Sequence, residues 1–165
     1  MEKRDLYNQD RKVTGKTIFK NEETPEGYYI LVVVAVMQNS EGEFLIQKRS
    51  QEKGGKWALT GGHPKAGESS IEGIKTEVKE ELGIDIKNPI LFKQASGKKI
   101  LCDLYYIKQD IDLKDIVMQK EEVQDVRYAT EEEIHELFRK GEFKKSHYMM
   151  FKDGIDYLNK ISLND

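Results

Sequence analysis

The stretch Tyr28 to Met37, YYILVVVAVM, constrains the fold more than any other part of the chain. It is β-branched and nearly continuous, which suits a strand buried on both faces. It is too short to cross a bilayer, which takes about 20 apolar residues. A turn, NSEGE, and a second apolar run, FLIQKRS, follow it, so a hairpin is expected. QEKGGK reads as a loop and WALTGG as a short strand ending in glycines. KKILCDLYYIK and EVQDVRYA read as further strands.

Three helices are expected. Ser69 to Leu82 opens with Ser69 and Glu72 at capping-box spacing and closes on Gly83. Its apolar stripe is Ile71, Ile74, Val78 and Leu82. TEEEIHELFRKGEF starts at an N-cap threonine with acids in its first turn. MMFKDGIDYLNKIS forms a terminal helix weakened by Gly154. Strands and helices alternate without a strict βαβ rhythm, so the fold class is α/β, a mixed sheet packed between helices. The chain reads as one domain over 1–165: an arm at 1–26, a core at 27–143 and a C-terminal helix at 144–165. The arm is polar, is broken by Gly15 and by Pro25–Glu26–Gly27, and carries TIFK as a short strand. A frayed arm and an arm packed on the core fit it equally.

Hydrophobic and charged residues make up 38% and 35% of the 165 residues, a balance that excludes disorder. The net charge of −3 leaves no electrostatic footprint for nucleic acid or an anionic membrane, so neither is expected as a partner. The single cysteine, Cys102, excludes an intrachain disulfide. The opening MEKRDLYNQD lacks a signal peptide's apolar core, so the expected location is cytoplasmic.

The helix from Ser69 carries the chemistry. At about 100° per residue, Glu77, Glu80 and Glu81 gather on one flank of its apolar stripe, and Lys75 and Lys79 lie on the other. Like charges at i,i+3 and i,i+4 each cost a few tenths of a kcal/mol. A solvated acidic face is the commoner source of such a run, but it leaves the spacing and the glycines before it unexplained. Clustered carboxylates suit a hard divalent cation, which can bridge an acidic site to an anionic diphosphate.

The stretch GGHPKAGESSIEGIKTEVKEELGI resembles the signature of the Nudix hydrolases, G-x5-E-x7-R-E-U-x-E-E-x-G-U with U aliphatic. Gly62, Glu68, Glu77, Val78, Glu80, Glu81, Gly83 and Ile84 fall on it without a gap, and Thr76 stands where the family has arginine. FLIQKRS, GGKWALTGG (with Thr60 for a family proline) and EEVQDVRYATEEEIHEL resemble the family's flanking segments, so the likeness covers Tyr28 to Phe143. It implies an α/β/α sandwich with a loop–helix–loop catalytic motif. It further implies hydrolysis of a nucleoside diphosphate linked to another group, with Mg²⁺ or Mn²⁺ as cofactor. Carried over by position, Glu77, Glu80 and Glu81 would bind metal. Glu77 or Glu80 would be catalytic, and Glu77 would either bind metal or activate the water. Glu68 and Gly62 would support the site, and the Gly61 carbonyl would be a further ligand. Glu121 or Glu122 would add an acid from a later loop, with Glu122 the choice. A small-molecule nucleoside diphosphate derivative would be the partner, and a homodimer is the default assembly.

His63–Pro64 and the arm segment VTGKT resemble the isopentenyl-diphosphate isomerase branch of the same superfamily. That branch uses a cysteine where this chain has Gly61; Cys102 lies in an expected strand as a small hydrophobe. A non-catalytic nucleotide binder is the third reading. Arg49, His63 and Trp57 are candidate substrate-binding residues. His63 could equally pack beside Pro64, and for Trp57 a place in the core is the favoured reading. His135 is expected to be solvated, and HYMMF to be a packing face around His147. Threonine cannot supply the arginine's charge-assisted bonds, so either Arg49, Lys48 or Lys75 substitutes for it or activity is reduced. Thr76→Arg is expected to preserve or raise turnover in a steady-state assay; a large loss would mean a site rebuilt around threonine.

Overall fold

The computed structural model describes residues 2–163. The elements run β1 (Lys3–Tyr7), β2 (Val13–Phe19), β3 (Ile30–Gln38), β4 (Phe44–Arg49), β5 (Trp57–Ala58), β6 (Thr60–Gly62), α1 (Ser70–Leu82), β7 (Ile90–Gly97), β8 (Ile100–Lys108), β9 (Val123–Ala129), α2 (Glu131–Arg139) and α3 (Lys145–Leu163). Residues 164 and 165, the end of the expected C-terminal helix, lie outside the described residues.

The apolar run is β3, in the middle of a seven-stranded sheet ordered β5–β4–β3–β8–β7, with β6 beside β3 and β9 beside β4. β3 and β8 run parallel, in register from Ile30 opposite Ile100 to Gln38 opposite Lys108. Alternate β3 residues serve two cores. Leu31, Val33, Ala35 and Met37 pack with Ile74, Val78 and Leu82 of α1. Val34 and Val36 pack with Ile134, Phe143 and Phe151 on the α2/α3 side. The sheet thus lies between helices on both faces. Each fully buried aliphatic side chain contributes about 1.5–3 kcal/mol.

β3 and β4 pair only at the base of their hairpin, Gln38 opposite Phe44. Beyond it β3 continues beside β6 while β4 joins β5 and β9. WALTGG, expected as one strand, is therefore two, divided at buried Leu59. β7 was not foreseen. It is an edge strand with mostly exposed side chains, and its sequence ILFKQASG has no clean alternation of apolar and polar residues.

α1 carries the expected capping box between Ser69 and Glu72, and Gly83 closes it in the left-handed conformation at φ 69°. The expected stripe needs one correction: Ile71 is exposed, and Gly73 is buried in its stead. A Cβ at Gly73 would stand 2.5 Å from the Pro64 ring, so this glycine lets the preceding loop lie flat on the helix. Gly154 in α3 faces Val36 in the same way, its Cβ position 3.1 Å from a valine methyl.

The arm is packed rather than frayed. β1 and β2 form an antiparallel hairpin with Leu6 and Ile18 buried, and Tyr7 pairs with Tyr29 at the start of the core. Arg11, at the hairpin turn with φ 64°, reaches Asp103 of β8 at 2.6 Å and donates to the Ala95 carbonyl. Asp103 is buried and also accepts from Ser70 of α1 and Gln94 of β7. β1 then clasps the loop before α1: Ala66 N–H donates to the Lys3 carbonyl and Gly67 N–H to Asp5. Breaking a buried pair from one side costs about 3–5 kcal/mol. Because Asp103 keeps two other donors, Arg11→Ala is expected to cost about 3 kcal/mol, the lower end of that range. An unchanged urea midpoint would show that the hairpin is held by other contacts.

Candidate active site

Where β3 and β4 diverge, the sheet opens into a cleft lined by Val32 and Val34 from one strand and Gln47 and Arg49 from the other. β6 forms its rim and α1 supplies Glu77, Glu80 and Glu81. Two glycines permit this approach. A Cβ on Gly61 would lie 2.4 Å from the Val33 carbonyl oxygen, and one on Gly62 would lie 2.4 Å from the Glu77 carboxyl group.

Glu81 is buried at 8% exposure. One carboxyl oxygen accepts from Gln47 Nε2 at 3.1 Å, and the same amide donates to Thr60 Oγ1 at 2.8 Å. Burial pushes the Glu81 carboxyl up to about 8, with the Glu77 charge adding to it. Burial likewise pushes Glu77 up to about 7. Glu80 is more exposed, and the Lys65 ammonium pairs with it. Glu68 stands outside the cleft lining. It accepts from the Lys65 N–H at 2.7 Å and from the Thr76 hydroxyl at 2.6 Å, so it ties the loop to the helix.

The structure brings Arg49, His63 and Glu122 to the same cleft, with Gly61 and Gly62. Trp57 does not join them; partly buried, it packs against the α2/α3-side core. Glu121 contributes only its carbonyl, which accepts from Ser50. Glu122 arrives because the loop before β9 satisfies the carbonyl end of α1: Val117 N–H donates to Leu82 and Gln119 N–H to Glu81. Lys48 and Lys75 do not line the cleft, and the cation whose charge acts on Glu77 is Lys65. His135 is not simply solvated: it bridges Tyr148 and Glu131 between α2 and α3.

Several lining residues were missed: Gln47, Lys53, Gln119, and the cations Arg4, Lys20 and Lys144. They come from separate elements and share no local pattern. His147 also lines the cleft. Its Nδ1 accepts from the Leu59 N–H at 3.1 Å, and burial drives it down to about 3. It is therefore neutral, with its proton on Nε2. Burial and the charges of Arg4, Lys20 and Lys144 hold His63 at about 4.

The donor set fits a hard divalent cation. Among the described residues no three acidic, histidine or cysteine side chains converge into a complete ligand set. Two crowded carboxyl groups, Glu77 and Glu81, do share the cleft, and their mutual repulsion is what a cation removes. Mg²⁺ is typically held by one or two carboxylates, with water and phosphate oxygens completing its octahedron.

A Nudix domain model matches residues 28–151. An uncharacterized Nudix hydrolase of Listeria monocytogenes is 38% identical over 149 residues, spanning 87% of this chain and 88% of its own. A nucleoside triphosphatase of an Enterobacter species is 30% identical over 121 residues, spanning 64% of this chain and 85% of its own. A crystal structure from Deinococcus radiodurans superposes with a TM-score of 0.72 at 22% identity, over 92% of this chain and 98% of that one. At that identity it shares the fold. Among the described residues no helix is long and apolar enough to cross a membrane.

The raised carboxyls predict how stability follows pH without metal. A group whose folded pKa exceeds its unfolded value of 4.5 binds more protons when folded, so its stabilising effect fades as pH rises through the folded pKa. The depressed histidines act in the opposite sense, and only below about 6.5. In EDTA, Tm is therefore expected to fall from pH 7 to pH 8.5, and Glu81→Gln to flatten that fall. An equally steep decline in the variant would place its origin elsewhere.

Proposed function

Because the chain belongs to the Nudix family, we propose that its cleft hydrolyses a diphosphate linkage in a nucleoside diphosphate derivative, with Mg²⁺ or Mn²⁺ as cofactor. The observation that carries this reading is the seating of Glu77 and Glu81 together in a cleft also lined by Arg4, Lys20, Arg49 and Lys144. Glu77 and Glu81 would hold the cation, with Glu80 and Glu122 beside them. When bound, the cation neutralises charge on the bridging and leaving oxygens as water attacks phosphorus.

The chain's own groups do the rest. Glu77 either helps to hold the cation or, left free of it, receives the water's proton. Glu80, steadied by Lys65, is the alternative. Gln47 fixes one oxygen of Glu81. Arg49 and the Nε2–H of His147 face the substrate as donors.

Two observations weigh against isomerase chemistry. A side chain at Gly61 would strike the Val33 carbonyl, so β6 has no room for a cysteine there. Cys102 is buried in the α2/α3-side core, with its thiol pushed up to about 11. A non-catalytic role would not call for all of Glu68, Glu77, Glu80 and Glu81, which this chain retains.

The test is a hydrolysis panel of nucleoside triphosphates, ADP-ribose, sugar nucleotides, dinucleotide polyphosphates and isopentenyl diphosphate, each with Mg²⁺ and with Mn²⁺. At least one diphosphate compound is expected to turn over, and Glu80→Gln and Glu81→Gln to lower kcat by about 100-fold or more. Variants matching wild type, or isomerisation without hydrolysis, would defeat this reading.

A further inference from the structure

The cleft holds more positive charge than hydrolysis of a diphosphate needs. Arg4 of β1, Lys20 after β2 and Lys144 before α3 line it, brought together from the two ends of the chain. Among the described residues none of the three has a carboxylate in ion-pair range. Arg4 Nε is fully shielded from water and has no hydrogen-bond partner, the one such side-chain nitrogen or oxygen among the described residues. An unsatisfied buried donor is costly, more so when charged. All three cations lie near enough to His63 for their charges to lower its imidazole pKa. The nearest acids to Arg4 by charge are Glu2 and Glu77, so the cations adjoin the acidic wall. No phenyl, phenol or indole ring is among the lining residues. The cleft is therefore poorer in aryl rings than in cations.

We propose that Arg4, Lys20 and Lys144 form a phosphate subsite, so that the cleft takes a substrate with three or more contiguous phosphoryl groups. The subsite holds a phosphate beside those that the α1 acids and their cation would engage. The hairpin β1–β2, clamped to the core by Arg11, is then a specificity element and not only a cover. A nucleoside triphosphate and a dinucleoside polyphosphate share this chemistry, and one carries a free terminal phosphate where the other does not. The inference rests on the hydrolase reading for its substrate, but the subsite itself is testable without turnover.

Titration calorimetry in EDTA with inorganic tripolyphosphate and with monophosphate is the direct measurement. Wild type is expected to bind tripolyphosphate at least tenfold more tightly, and the Arg4→Gln/Lys20→Gln/Lys144→Gln variant to lose that preference. The Glu77→Gln/Glu81→Gln variant is expected to keep it. The exposed Lys20→Gln variant alone, safe for folding, is expected to weaken tripolyphosphate at least threefold. Unchanged affinity in the triple variant, or no preference in wild type, would overturn the subsite. In turnover, the triple variant should raise KM for ATP and diadenosine tetraphosphate with kcat within twofold. An effect on ATP alone assigns the subsite to a terminal phosphate. An equal rise for ADP-ribose, which has only two phosphates, would overturn the selectivity. If nothing on the panel turns over while tripolyphosphate binding still depends on the three cations, the hydrolase reading fails and the subsite stands.

Discussion

Glu81 is a carboxyl group held out of water, and the site is arranged around the cost of keeping it there. Transfer of an ionised carboxylate from water is unfavourable enough that the group keeps its proton instead. The structure meets this with one amide, Gln47, which spans from Thr60 to Glu81 and so joins β4, β6 and α1 at one atom. Everything else in the cleft adjusts to that junction. Gly62 gives way to Glu77, Gly61 lets β6 sit tight on β3, and the loop after α1 hands its N–H groups to the helix end. A divalent cation would convert the most strained electrostatics of the fold into its most favourable contact.

The central strand, the capped helix α1 and the acids on its flank were legible in the sequence because each depends on local period and spacing. The capping box needs only Ser69 and Glu72, and the two faces of β3 need only a β-branched run. What escaped depends on long-range geometry. β7 is an edge strand whose pairing with β8 supplies the order that its own residues do not specify. Ile71 fits the helical stripe yet is exposed, and Gly73 is buried because Pro64 lies on it. Trp57 had a pattern consistent with either fate, and core packing decided it. Lys144 and Arg4 could not be joined by any reading along the chain.

The two departures from the family pattern look alike once placed. Thr60 stands for a proline and Thr76 for an arginine, and each hydroxyl makes a short hydrogen bond to a side chain of the site. Thr60 accepts from the amide that steadies Glu81, which a proline could not do. Thr76 donates to Glu68 and thereby fastens the loop, while the cation near Glu77 comes from Lys65 in that loop. The charge removed at position 76 is thus replaced by a shorter tether and a cation from another residue.

The clamped hairpin also bears on how the protein comes into being. The acids lie in one compact stretch of chain, whereas the cations opposite them belong to its first strands and to the residue before its last helix. At about 5–20 residues per second, the α1 acids leave the ribosome a few seconds before Lys144 is made. Until then α3 is absent, and the face of β3 that receives Phe151 is bare. The cleft therefore gains Lys144 only after its acids and its other cations are made, so its full charge pattern depends on the docking of α3.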